Sequence, residues 1–325
     1  MSSAPATLIR VARRIALGGL VAVYASSSAH AQRSAWKLVW RDEFGGTSVD
    51  TTKWGFDLGN GFYGDSGRSY VSGWGNNELQ CYTRTADNAS VRDGALRIRA
   101  LRGVDSACPY TSARLKTRRA DGRALFAPRY GRFEFRARLP LGRGLWPALW
   151  MLPQDEAYGT WAASGEIDVM EARGQTPSTV LGTLHFGGRA PRNVYRGQDY
   201  VLPGGGTIAD FHRYAVEWEP GRIRWEVDGV VTQEQSFWWS SAQRPGGAAA
   251  APADSSQVAP WPAPFDKPFY LVMNLAVGGN FLGNPDATTP FPGEMVVDYV
   301  RVYARRGGSG RVPRRGSGQI PYERP

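Results

Sequence analysis

The chain is poor in several features that often settle a protein's class. Its 325 residues include only two cysteines, Cys81 and Cys108. That excludes a small scaffold built on disulfides, and no partner ligands are spaced around the pair as a zinc site requires. Long apolar runs are missing too. The stretch Ile15 to Tyr24 falls short of the roughly 20 residues that a membrane helix needs, so no stable membrane insertion is expected. No internal repeat and no long helical periodicity appear, which sets aside solenoids and helical bundles. Net charge is small on the body of the chain, where acids and bases nearly balance. Of the formal +10, Arg10, Arg13 and Arg14 hold +3 and the segment after Tyr303 holds +5, leaving about +2 between them. A nucleic-acid partner is therefore not expected.

What is present is a succession of short alternating runs separated by Gly, Pro and Asp turns. Ala95 to Leu101, Gly131 to Leu139, Gly165 to Ala172, Tyr214 to Glu219, Ile223 to Val227, Phe269 to Ala276 and Met295 to Tyr303 read as strands. Pro220-Gly221 sits between two of them as a hairpin turn. This pattern predicts an all-β chain of two stacked sheets in one large domain, residues 32–304. Its 12 Trp, 14 Tyr and 13 Phe supply flat rings suited to the C–H faces of a neutral polysaccharide.

The ends read differently. Arg10, Arg13 and Arg14 precede the apolar stretch, and Ala29-His30-Ala31 fits a cleavage site, so residues 1–31 are expected to be a signal peptide of a secreted or periplasmic protein. Export permits disulfides, and two readings of Cys81 and Cys108 stand: a bond between them, or two buried thiols. Residues 305–325, rich in Gly and Arg, are expected to be a disordered basic tail. Between Ser240 and Pro264 the composition shifts to Ala, Pro, Gly and Ser, as in a surface loop.

The chemistry is concentrated in Gly165-Glu166-Ile167-Asp168-Val169-Met170-Glu171. Side chains alternate along a strand, so Glu166 and Asp168 share a face and Glu171 has the opposite parity. One extra residue, a β-bulge at Val169 or Met170, returns Glu171 to that face. The glutamate backbones then lie about 13 Å apart, and inward-leaning side chains leave roughly 5 Å between carboxyl groups, the spacing of a retaining glycosidase. Negative charges this close should keep one glutamate protonated near neutral pH.

This heptapeptide resembles the active-site signature of glycoside hydrolase family 16 in its bulged Glu-x-Asp-x-x-Glu form. Around it stand Trp74-Gly75-Asn76-Asn77-Glu78-Leu79-Gln80, Tyr110 to Arg114, Trp146-Pro147-Ala148-Leu149-Trp150, His185-Phe186-Gly187, Asn274 to Gly279 and Met295 to Tyr303. Together they resemble the bacterial laminarinase-like endo-β-1,3-glucanases over roughly residues 36 to 304. The resemblance implies a β-jelly-roll sandwich of two antiparallel sheets with an open substrate cleft on its concave face, acting as a monomer on β-glucan. It implies Glu166 as nucleophile, Glu171 as general acid/base, Asp168 as an aspartate that sets the nucleophile's charge, and His185 as a group close to the acid/base that either tunes proton transfer or contacts the sugar.

For substrate contact it points to Trp146, Trp150, Trp161, Asn76 and Arg114, with Glu78 a weaker candidate that could satisfy a turn. Trp150 alternates with Leu149, so one of the two must face the core. The resemblance also implies a structural Ca2+ at Glu43, Gly94 and Asp298, whereas catalysis by two carboxylates needs no cofactor. Two alternatives share the fold: a red-algal galactan hydrolase, and a non-catalytic β-glucan-binding protein, against which the intact carboxylates argue.

Overall fold

The structure, a computed structural model, describes residues 35–64, 69–103, 106–241 and 258–307. The expected signal peptide lies outside these residues, as do 308–325 of the expected tail and 242–257 of the Ala- and Pro-rich segment.

Two sheets stack face to face. Seven strands form the sheet that carries the acidic signature, in the order Asn193–Val201, Thr179–Gly187, Glu166–Ala172, Leu145–Pro153, Phe269–Val277, Arg114–Lys116 and Gly55–Asp57. The opposing ten-stranded sheet runs from Val230–Gln235 through Arg222–Val227, His212–Glu219, Gly131–Arg138, Gly293–Arg305, Ala95–Arg102 and Tyr110–Ser112 to Gln80–Tyr82, with two further strands paired off this path. The strands expected from alternation all form, and Pro220 and Gly221 close the hairpin in which Glu219 pairs with Arg222.

Alternation places the core between the sheets. Phe133, Phe135, Tyr214, Val216, Trp218, Ile223 and Trp225 point in from the ten-stranded sheet, meeting Leu149, Met151, Ile167, Leu184, Leu271 and Met273, all buried. Burial of side chains this large contributes roughly 1.5–3 kcal/mol each, which makes the sandwich rigid enough to hold a site on its outer surface. The fully buried Leu149 also settles its neighbour. Trp150, half-buried, faces the opposite side, into the cleft.

Two details depart from expectation. Gln80–Tyr82 pairs with Tyr110–Ser112 in parallel, because the chain returns through Ala89–Arg92 and Ala95–Arg102 before laying the second strand beside the first. Cys81 and Cys108 are joined by a disulfide at this edge, with Cα atoms 5.4 Å apart. The sheet also reaches past the expected domain boundary at residue 304. The last strand runs through Arg305, which pairs with Trp36, and Arg306 N–H donates to the Ala35 carbonyl at 2.8 Å. Among the described residues, no helix is long and apolar enough to cross a membrane.

Candidate active site

Glu166, Asp168 and Glu171 line one face because the strand carries one residue too many. Asp168 is opposite Thr183 and Glu171 opposite Leu181, so three steps on one strand match two on its neighbour. On the other flank, Trp150 faces Asp168 and Leu149 faces Met170, leaving Val169 unmatched. Val169 and Met170 are consecutive yet both buried in the core, as a bulge requires. Gly165, immediately before Glu166, has φ +87°, and a Cβ there would come within 2.8 Å of the Phe265 ring. A side chain at that position would displace the start of the catalytic strand.

Register carries the site across the sheet. Directly opposed residues form the row Asp57, Arg114, Asn274, Ala148, Glu171, which turns five strands into one floor. Two indoles grip the glutamates from the cleft side: Trp161 Nε1 donates to Glu166 Oε2 at 2.8 Å, and Trp146 Nε1 to Glu171 Oε1 at 3.0 Å. Trp161 is 40% exposed, leaving ring surface for a sugar. His185 is the cross-strand partner of Glu166, and its Nε2 lies 3.4 Å from Asp168 Oδ2 and 3.7 Å from Glu166 Oε1. Its charge also acts on Glu171, so it serves the whole carboxylate cluster.

Burial raises the pKa of all three carboxyls, each to about 8. The Asp168 charge adds to the rise at Glu166 and Glu171, while His185 and the indole N–H groups oppose it. The three groups therefore titrate as a unit that retains protons to near neutral pH, and a general acid needs such a proton.

Toward the Arg114 side the floor is a network of polar groups and rings. Trp150 Nε1 donates to Asn274 Oδ1 at 2.7 Å, and Asn274 Nδ2 donates to the Tyr82 hydroxyl at 3.0 Å. Glu78 accepts from Gln80 at 2.6 Å and from Asn76 at 3.3 Å, and burial raises its pKa. Arg114 is paired with Asp57 at 3.0 Å, and its guanidinium sits 4.8 Å from the Trp74 ring centre and 4.6 Å from that of Trp150. Its guanidinium thus pairs with a carboxylate while lying against two indoles of the floor. Asn274, Gln80, Tyr82 and Asp57 were not among the expected site residues. Asn274 did carry a signal, being the one amide in an otherwise apolar nine-residue strand.

The expected calcium ligands do not fit an ion through their side chains. Both Glu43 carboxylate oxygens accept from Arg301 at 2.8 Å, and Asp298 accepts from Arg136 at 2.6 Å. Arg301 also holds the Glu43 carboxyl below its ordinary pKa. A guanidinium already neutralises each carboxylate, so a cation would have to displace it. Among the described residues, one group of three is close enough to share a metal: Glu166, Asp168 and His185, with ligand atoms within 4.8 Å of one another. Two of these, Glu166 and Asp168, belong to the catalytic carboxylate cluster itself.

Three carboxylates on a bulged strand, under two indoles in an open β-sheet floor, define a glycoside hydrolase of the β-sandwich class. Residues 76–243 match the family model described as glycosyl hydrolases family 16. The chain is 48% identical over 275 residues to glucan endo-1,3-beta-glucosidase A1 of Niallia circulans, a match covering 82% of this chain and 37% of that protein, little more than a third of its length. It is 44% identical over 288 residues to a beta-glucanase of Rhodothermus marinus, covering 82% of this chain and 85% of that one. The X-ray structure of the laminarinase from Rhodothermus marinus superposes with a TM-score of 0.66 at 42% identity, covering 83% of this chain and 98% of that chain. The chain belongs to glycoside hydrolase family 16. Like other hydrolases of that family it needs no catalytic cofactor.

Proposed function

We propose that the protein is a retaining endo-glycosidase that cleaves β-1,3-glucosidic bonds in laminarin-like or mixed-linkage β-glucans. The observation that carries this reading is the bulge at Val169, which sets Glu166 and Glu171 on one cleft face with Asp168 between them. In the first step Glu166 attacks the anomeric carbon while Glu171 gives its proton to the leaving oxygen. In the second, Glu171 removes a proton from water, and that water releases the sugar from Glu166. The Trp161 N–H and His185 orient the Glu166 carboxylate, and the buried Asp168 keeps negative charge or a proton beside it.

The same reading extends to a monomer exported from the cytoplasm. The leader pattern of residues 1–31 and the Cys81–Cys108 bond, which persists in oxidising compartments, support export. The test is reducing-end release from laminarin, lichenan and agarose by the wild type and Glu166→Gln. Laminarin cleavage abolished by the substitution supports the proposal. Cleavage of agarose alone moves the substrate to galactans, and binding without cleavage removes the enzymatic reading.

A further inference from the structure

Behind the bulge that aligns the carboxylates lie two side chains of the other sheet. Trp225 and Gln233 are cross-strand partners there, and both are buried. Trp225 Nε1 crosses the sandwich to donate to the Asp168 carbonyl at 2.7 Å, and Gln233 Nε2 donates to the Gly182 carbonyl at 2.6 Å. Gly182 stands opposite Val169 and Met170, the point where the two strands lose register. It has no side chain because the indole occupies that space. A Cβ on Gly182 would lie 2.3 Å from Trp225 Cδ1.

A bulge interrupts the ladder and leaves backbone groups in need of partners, and a buried carbonyl without one is costly. Placing an amide in an apolar core costs free energy as well, so a fold needing only volume there is better served by leucine. Gln233 Oε1 is indeed buried without a hydrogen-bond partner, while its amide nitrogen is spent on Gly182. The strand bearing Gln233 has its own irregularity, since Trp225 faces Gln233 but Glu226 faces Val231. Two irregular strand pairs, one in each sheet, are thus joined by two side-chain bonds behind the cleft face.

We propose that Trp225 and Gln233 form a clasp that fixes the bulge and so sets the relative positions of Glu166, Asp168 and Glu171. They are positioning residues acting through the backbone, and the catalytic consequence rests on the glycosidase reading above. Losing the Trp225 bond lets the extra residue relax, moving Glu171 relative to Glu166 without altering the sugar-binding floor around Trp150, Asn274 and Arg114. The expected signature is loss of turnover with little loss of binding.

The test uses Trp225→Phe, which keeps the apolar body and removes the N–H, and Gly182→Ala, which pushes the indole off the carbonyl. Trp54→Phe is the control, since Trp54 also donates a buried indole bond, to Asp42 Oδ2 at 2.8 Å, away from the bulge. For Trp225→Phe, kcat on laminarin should fall about tenfold, as expected for a loss near 1.4 kcal/mol, with KM within about threefold. The pH dependence of kcat/KM should shift, because the carboxyls no longer share protons at the same spacing. Trp54→Phe should lower Tm and leave kcat and the pH profile unchanged.

Hydrogen exchange across residues 166–172 reads the clasp without any substrate, and should quicken about tenfold in Trp225→Phe and Gly182→Ala but not in Trp54→Phe. If the wild type fails to cleave laminarin, the glucanase reading falls while exchange still decides the clasp. Wild-type exchange in both bulge variants overturns it. So do wild-type kcat and pH profile in a Trp225→Phe enzyme whose parent is active.

Discussion

Replacing Glu166 with glutamine should stabilise the protein at neutral to alkaline pH while destroying its activity. Burial holds the Glu166 carboxyl near 8 in the folded state, against an ordinary value of 4.5. A carboxyl with a raised folded pKa binds more protons folded than unfolded. Its contribution to stability is full below the unfolded value and is lost as pH climbs from about 4.5 to about 8. Taken alone, a rise of this size corresponds to somewhat over 4 kcal/mol at 1.36 kcal/mol per unit. Asp168 and Glu171 share the protons, and part of the penalty stays with them, so the gain from Glu166→Gln is about 2–4 kcal/mol at pH 8. The amide oxygen can still accept the Trp161 N–H, so no donor there is stranded.

For a domain of this size the gain is roughly 5–10 °C in Tm. Calorimetry of both proteins from pH 4 to pH 8.5 provides the measurement. The difference should be near zero at pH 4 and grow through the window. A glutamine variant less stable than the parent at pH 8, or a gap independent of pH, would refute the argument that burial of this cluster strains the fold.

Three further outcomes follow from the same geometry. Glu171→Ala should lower laminarin hydrolysis by about 10³-fold, the usual scale for a general acid, and should slow glycosylation far less with an activated aryl glucoside whose leaving group needs no proton; stopped-flow release of the phenol measures this. Replacing Cys81 and Cys108 together by alanine should cost about 3–4 kcal/mol, from the chain-entropy cost of a loop whose ends are 27 residues apart, read as the shift of a urea midpoint. Removal of divalent cations with EDTA should change Tm by less than about 1 °C, because Arg301 and Arg136 already neutralise Glu43 and Asp298. A large fall in Tm, reversed by Ca2+, would show that the guanidinium groups yield to an ion.

Much of this site was legible in the residues because its logic is local. The parity of Glu166, Asp168 and Glu171 demands an extra residue whatever surrounds them, and Val169 supplies it. Trp150 and Leu149 had to divide between core and cleft, and the smaller aliphatic side chain took the core. The strand ending at Arg305 ran past its expected limit for a reason outside its own sequence. Its partner, Trp36–Asp42, continues beside it to Trp36 and offers backbone bonds to a stretch that reads as tail.

The parts that could not be read depend on distant pairing. Glu43 and Asp298 look like oxygen ligands until Arg301 and Arg136 are seen to face them, and that depends on strand register rather than on either acid. Trp225 and Gln233 are harder still. Fifty-seven residues separate Trp225 from Asp168, and in sequence the tryptophan is simply an inward position on an alternating strand. Only the stacking of the sheets brings its N–H to the carbonyl of the strand that bulges. A local pattern can thus require an irregularity in one sheet, while the residues that hold it belong to the other. Substitutions that damage such a site should therefore be sought in the layer behind it as well as in the cleft.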